Sequence, residues 1–372
     1  MNPIVVALLS VAALSILIIV HELGHFFVAK KMGIWVEEFG IGLPPRIFGK
    51  KIGETIFSIN AIPLGGFVRL HGETNESEVT DTGRAFVNKS FLPRILVILA
   101  GVVMNFVFGV ACFALVYSVL GIPRETQNVK IVEVATGSPA QISGLLVGDI
   151  VRNVDKKVVV SSEEFIKAVE EKKGKKIVLE IEREVDGKPA TQKITTAPRE
   201  TPPENEGPLG VAISTTEIYF PPIWQRPFVG AYYGLGQAIE LGKVIVLGLG
   251  GIAKDASQGK LSAGLVGPVG LVALLAFFVK TGVMPLVNFL GLISINFAIL
   301  NIVPFPPLDG SRILTIVMEK LMGKKIVPKV ESIMHTVGMI LLLALTLLIT
   351  IREIPKLITA GTLTGFVEQL IK

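Results

Sequence analysis

The sequence predicts an α-helical membrane protein of about four transmembrane helices, with a membrane-associated β-sheet and an inserted α+β domain. Three observations lead there. Half of the 372 residues are hydrophobic and only 18% are charged, and the mean hydropathy of +0.62 lies far above that of a soluble domain. Long apolar runs open near Ile4, Pro93, Met284 and Val337, as membrane-crossing helices require. Two stretches, residues 35–72 and 123–216, break that texture with short strand-like runs punctuated by Gly and Pro.

The first run, from Ile4 to about Val28, reads as span one. Met1-Asn2-Pro3 carries no Lys or Arg and no small-x-small cleavage site follows the run, so the segment is expected to stay uncleaved. Lys30 and Lys31 come after it, which places the N-terminus outside and that end of the span toward the cytoplasm. Residues 35–72 are expected to form a small, partly membrane-inserted sheet, and 73–90 a polar loop. Pro93 to about Leu120 returns outward, closing an N-terminal membrane core over 1–122. Residues 123–216 then form a soluble domain outside, with a helix capped at Ser161-Ser162-Glu163-Glu164. A linking region follows over 217–282. Its 224–254 part holds Gln225, Arg226, Gln237, Glu240, Lys243 and Lys254 among apolar residues, and either a span or an interfacial helix fits that composition. Arg312, Lys320, Lys324, Lys325 and Lys329 follow the run at 284–303 and orient it from outside to inside. An even number of crossings must then separate it from the outer domain. Zero is simplest, with 224–254 lying on the surface and 262–282 interfacial or re-entrant; the other solution makes both of them spans. Residues 283–372 complete a C-terminal membrane core of two spans and an amphipathic tail helix, ending outside.

The net charge of +5 accompanies no basic stripe interleaved with aromatics, so no nucleic-acid partner is expected. The single cysteine, Cys112, excludes an intrachain disulfide and a cysteine-based zinc site.

Chemistry concentrates at His21-Glu22-Leu23-Gly24-His25. A charged group at membrane depth costs roughly 2.5–3.5 kcal/mol on insertion scales. Three polar or ionisable groups in five residues are therefore poor packing and point to a metal site. Residues four apart share a helix face, so His21 and His25 can present two imidazoles to one cation. Glu22 is turned aside, placed to take a proton from a water that the metal polarises. A catalytic zinc needs a third protein ligand. Asp309 is the strongest candidate, after the proline-broken stretch Asn301-Ile302-Val303-Pro304-Phe305-Pro306-Pro307-Leu308. His71 and His335 read as structural or interfacial. Asn301 either bonds broken backbone or contacts substrate. Two imidazoles and a carboxylate suit one Zn2+ per chain.

These motifs resemble the site-2 protease family of intramembrane zinc metalloproteases, in its bacterial regulator-of-sigma-E type with one PDZ domain. His21-Glu22-Leu23-Gly24-His25 resembles the family's HExxH, Asn301 through Gly310 its NxxPxxxxDG, and Gly101-Val102-Val103-Met104-Asn105 its GxxxN. Phe39-Gly40-Ile41-Gly42 and the strands around it are similar to the family's membrane-reentrant hairpin. The resemblance implies His21, His25 and Asp309 as zinc ligands and Glu22 as catalytic base. It places Asn105, Asn301, Gly101, Gly40, Gly42, Gly65 and Gly66 at the site or against substrate backbone, although Gly101 reads equally well as a close-packing residue. Gly137-Ser138-Pro139-Ala140 and Gly148-Asp149-Ile150-Val151 resemble a PDZ domain, with a peptide groove supplied by Leu209, Gly210 and Val211 from its far end. The implied protein is a monomer, multi-pass in the bacterial inner membrane, surrounded by membrane lipid. Its termini and PDZ domain lie outside and its site toward the cytoplasm. It cleaves transmembrane substrates such as anti-sigma factors or signal-peptide remnants, and its PDZ domain takes a peptide C-terminus. Two other classes compete with this reading. An ion transporter would also carry intramembrane His, Glu and Asp, but along a path and not at one depth. An inactive PDZ scaffold would have lost a catalytic position.

Overall fold

The computed structural model describes residues 3–73, 79–185, 187–203, 206–259, 265–323 and 328–371. Lys324, Lys325 and the side chain of Lys329, used above for orientation, lie outside the described residues. The chain divides into two compact units, Met1–Val119 with Trp224–Lys372, and Leu120–Ile223. In chain order the first opens with α1 (Pro3–Lys31), β1 (Val36–Ile52), β2 (Thr55–Leu70) and α2 (Phe91–Leu120). The second holds β3 (Ile122–Val134), α3 (Pro139–Ile142), β4 (Ile150–Val154), β5 (Lys157–Val158), α4 (Ser162–Glu170), β6 (Ile177–Val185), β7 (Lys188–Thr196) and β8 (Val211–Tyr219). The first resumes with α5 (Arg226–Ser257), α6 (Pro268–Thr281), α7 (Val283–Leu300), α8 (Asp309–Met322), α9 (Pro328–Ala360) and α10 (Leu363–Ile371).

Among the described residues, five helices are long and apolar enough to cross a membrane: α1, α2, α5, α7 and α9. The 29 residues of α1 span about 43 Å, more than the roughly 30 Å of hydrocarbon. On α9, Leu341, Leu343, Leu347 and Ile351 are all more than half exposed. A soluble monomer rarely carries such an apolar face, whereas lipid requires it. The difference from the four expected crossings lies in α5, one unbroken helix of 32 residues. Glu240 and Lys243, which make its sequence read as interfacial, pair with each other at 2.6 Å. The 14 residues of α6 reach only about 21 Å.

The sheet of the first unit consists of β1 and β2 folded across each other. Phe39 pairs with Val68 on one side and Phe57 on the other, while Lys50 pairs with Phe57 and Ile52 with Thr55. The segments 66–70 and 46–52 are thus the outer edges. Glu38 is buried within the sheet, and its carboxylate accepts hydrogen bonds from Ser58 Oγ at 2.6 Å and Arg46 Nε at 3.1 Å. A buried charge of this kind persists only when so paired. Phe26 of α1 packs edge-on against Phe39, ring centroids 5.4 Å apart, which fixes the last turns of α1 against the sheet.

The second unit is a sheet of order β7-β6-β4-β3-β8, with β5 on β4. Inward-facing Val129, Ile131, Val151, Leu179 and Ile181 meet Phe165 and Val169 of α4 in its own core. Ser138 caps α3 and Ser161 caps α4, each accepting from a backbone N–H at 3.2 Å. Buried Asp149 is held by a two-pronged Arg183, both contacts at 2.7 Å.

Candidate active site

The candidate site lies in the first unit. His21 and His25 are one turn apart near the end of α1. Their ring centroids are 4.7 Å apart at 87°, and the two Nε2 atoms lie 3.1 Å from each other. Asp309 arrives from a distant part of the chain. After α7 ends at Leu300, prolines at 304, 306 and 307 prevent helix continuation, and α8 restarts with Asp309 as its first residue. Gly310 lets that restart fold tightly onto the turn, since a Cβ there would sit 2.3 Å from the carbonyl oxygens of Ile302 and Val303. The Asp309 Oδ2 atom lies 2.9 Å from His21 Nε2 and 3.5 Å from His25 Nε2.

Three atoms able to ligate a metal thus fall within 4.8 Å of one another. His25 Nδ1 lies 2.8 Å from the Val97 carbonyl. A carbonyl only accepts, so that nitrogen carries the proton and Nε2 turns a lone pair toward Asp309. Asp309 Oδ2 is buried and, among the described residues, receives no hydrogen bond. The His25 lone pair and an unsatisfied carboxylate oxygen facing one point fit a cation. The two-imidazole, one-carboxylate donor set suits zinc with an open position.

Two cavities border the cluster. One, of about 320 Å³, is lined by Glu22, His25 and Asp309 together with Phe67, Val68 and Leu70 of the outer β2 edge. The other, of about 260 Å³, is lined by His21, Glu22, Asp309, Asn105 and Asn301. Glu22 therefore borders both, beside the His21–His25–Asp309 cluster and not within it. Asn105 Nδ2 lies 3.3 Å from His21 Nδ1, and Asn301 Nδ2 lies 3.4 Å from His21 Nε2.

The glycines separate by position. Gly101 faces the imidazoles, and a Cβ on it would sit 2.6 Å from His21 Cε1 and from His25 Nε2. A Cβ on Gly66 would lie 3.6 Å from Glu22 Cγ. Gly65 lies beside Ile18 and Leu43, while Gly40 packs on the Phe67 ring and Gly42 against the Ile62 carbonyl; the nearest neighbours of these three belong to the hairpin and to Ile18, not to the His21–His25–Asp309 cluster. In the second unit, Leu209 is core. The Leu209 and Gly210 carbonyls accept from Ala140 and Ala135, and Val211 opens β8. His71 is tied to Glu37 at 2.7 Å through Nδ1, and its Nε2 accepts from the N–H groups of Thr80 and Asp81.

Sequence reasoning missed Glu73, Arg312 and His335, which line the larger cavity. Arg312 and Glu73 form an ion pair there. Arg312 follows Asp309 by one helical turn and could have been flagged by that spacing. Neither Glu73, in a polar loop, nor His335, in an apolar helix, carries a local signal of its destination.

Residues 9–345 match the sequence profile of peptidase family M50. The chain is 34% identical over 342 residues to a Clostridium perfringens protein provisionally named a zinc metalloprotease, covering 92% of this chain and 96% of that one. A similarly named Clostridium acetobutylicum protein is 31% identical over 351 residues, covering 93% and 96%. The Oceanobacillus iheyensis zinc metalloprotease RasP is 26% identical over 423 aligned positions, covering 92% and 97%. With a matching profile over most of its length, relatives alike from end to end and a donor set suited to zinc, this transmembrane chain belongs to peptidase family M50, the site-2 proteases, and is a zinc metalloprotease.

Proposed function

We propose that this protease hydrolyses peptide bonds within or beside the transmembrane segments of single-span membrane proteins, anti-sigma factors and signal-peptide remnants among them. The observation that carries the reading is the convergence of His21, His25 and Asp309 beside Glu22, on a helix of membrane-crossing length. His21, His25 and Asp309 hold the metal in this reading. When bound, zinc supplies Lewis acidity that makes water nucleophilic near neutral pH and polarises a carbonyl. Glu22, bordering both cavities, takes a proton from the attacking water and passes it to the departing amine. Asn301 and Asn105 border the smaller cavity and orient groups around the cluster.

A transmembrane helix hides its scissile carbonyls in its own hydrogen bonds, so it must open before attack. The outer edge Gly66–Leu70 runs beside Glu22 and His25 and is suited to pair with the opened backbone as an added strand. The second unit reads as a PDZ domain over 123–216, inserted between an N-terminal core over 1–122 and the linking region 217–282 that leads to the C-terminal core 283–372. Its β8 is an edge strand, the kind of element along which a peptide C-terminus docks. The protein works as a monomer in the bacterial inner membrane. Four crossings put its termini and PDZ domain outside and its site toward the cytoplasm; α5 is of crossing length, and if it crosses, the 262–282 segment that holds α6 crosses as well to keep that orientation.

The test is cleavage of a synthetic transmembrane peptide in liposomes by the wild type and Glu22→Gln, with chelator and zinc add-back. Removing the base is expected to slow cleavage by about 10²–10⁴-fold, with zinc still bound. Chelation is expected to abolish cleavage and zinc to restore it. Cleavage by Glu22→Gln at the wild-type rate would remove the reading, and Glu22-dependent metal flux across the liposomes would favour a transporter.

A further inference from the structure

Asn105 is completely buried on α2, one turn beyond Gly101 and on the same face. Its backbone carbonyl accepts from Ser294 Oγ of α7 at 2.7 Å, which fixes it between two helices. Its side-chain amide stands against His21 Nδ1, with the nitrogen end 3.3 Å away. The oxygen end, Oδ1, is buried and has no hydrogen-bond partner among the described residues. The two ends of an amide are assigned from the surrounding network and exchange by a half-turn.

The partner of His25 shows what the site requires. Val97 O forces the proton onto His25 Nδ1 and leaves Nε2 as a lone-pair donor. A metal held by the Nε2 atoms of both rings requires the same tautomer of His21, and its Nδ1–H then needs an acceptor. Among the described residues, the Asn105 amide is the group at hydrogen-bond distance from that nitrogen. If Nδ2 faced Nδ1 and donated to it, the proton would move to His21 Nε2. There it would point at Asp309 Oδ2, 2.9 Å away, and occupy the direction the metal needs.

We propose that Asn105 is a positioning residue that sets the His21 tautomer: its Oδ1 accepts from Nδ1–H and leaves Nε2 free to bind zinc. This inference rests on the reading of His21, His25 and Asp309 as the zinc ligands. Asn105 touches neither the metal nor substrate in this role, so its effect is on metal affinity before it is on turnover.

The experiment measures zinc affinity of the full-length protein in detergent by competition with a chromogenic chelator, with thermal melting as a check on folding. Asn105→Asp keeps an acceptor in place, and Asn105→Leu fills the space without one. Loss of the acceptor is expected to raise the zinc dissociation constant about 10–100-fold, while Asn105→Asp stays within about threefold of wild type. Nitrogen NMR of the unsubstituted, zinc-loaded protein with labelled histidine is expected to show a proton bonded to His21 Nδ1. That measurement decides the matter even if Asn105→Leu does not fold. Wild-type affinity in Asn105→Leu, affinity as weak in Asn105→Asp as in Asn105→Leu, or an unprotonated His21 Nδ1 would each overturn the proposal. His21→Ala and Asp309→Ala separate the two levels. Undiminished zinc binding in either means the ligand reading has failed, and this inference with it. Zinc loss there, beside unchanged affinity in Asn105→Leu, defeats only the role of Asn105.

Discussion

Gly101 and Gly24 permit the same helix contact from opposite sides, and they do so differently. A Cβ on Gly101 would press on two imidazole rings at 2.6 Å, whereas one on Gly24 would meet the Ala100 carbonyl oxygen at 2.3 Å. Side chains can swing, and the backbone of a packed helix cannot. Gly101→Ala is therefore expected to displace His21 and His25, lowering zinc affinity at least about 10-fold with a smaller effect on melting. Gly24→Ala is expected to force α1 from α2 and destabilise the protein by about 1–3 kcal/mol. Zinc competition and thermal melting on both variants check this, and unchanged zinc affinity in Gly101→Ala would contradict it. The residues that meet here differ in how visible they are in the sequence. His21 and His25 are legible because a four-residue spacing is local and any helix brings the pair together. Asp309 is legible less directly, as a carboxylate at the one place where prolines break an apolar run. Glu73 and His335 are not legible, because only tertiary packing brings the loop after β2 and the start of α9 to the same cavity.

Among the elements, α6 is shorter than the hydrocarbon is thick, and its first amides need partners that water cannot supply there. Glu353 of α9, itself buried, provides them: Oε1 accepts from Gly267 N at 2.7 Å and Oε2 from Gly270 N at 3.0 Å. The packing leaves room for that carboxylate only because both positions are glycine. Glu353→Ala is expected to leave two buried N–H groups unpaired and to cost about 1–3 kcal/mol. The change should appear as a lower melting temperature in detergent together with faster hydrogen exchange at Gly267–Leu271. A variant with wild-type melting and exchange would show that α6 is held by its apolar contacts alone. This tie was invisible in the sequence, where Glu353 reads as one more charge near the end of a span. The β-hairpin, by contrast, could be read as strands from its Gly and Pro punctuation. Its double pairing could not, because a strand that bends and pairs on both sides leaves no signature in periodicity.

For the whole molecule, the inserted unit offers the sharpest prediction. Its core residues, from Val129 to Leu209, are all its own, and its first and last strands pair directly, Ile122 with Tyr219. Paired strands lie about 4.8 Å apart, so the chain enters and leaves the unit at neighbouring points. Residues 120–223 are therefore expected to fold alone as a soluble domain with one cooperative melt. Replacing them by a short Gly/Ser linker is expected to leave α2 and α5 joined without strain. The shortened protein should still bind zinc and should cut a synthetic transmembrane peptide at a rate within a few-fold of wild type, because every residue of the candidate site lies in the other unit. Selectivity is where the two proteins should part. If the unit acts as a filter on the outer side, the wild type will cut a substrate with a small outer segment and spare the same span carrying a bulky outer domain, whereas the shortened protein will cut both. If the unit instead captures a newly exposed C-terminus, amidating that terminus will slow the wild type and leave the shortened protein unaffected. A shortened protein that keeps full discrimination in both assays would reduce the insertion to a spacer and place substrate choice in the hairpin and the cavity beside Glu22.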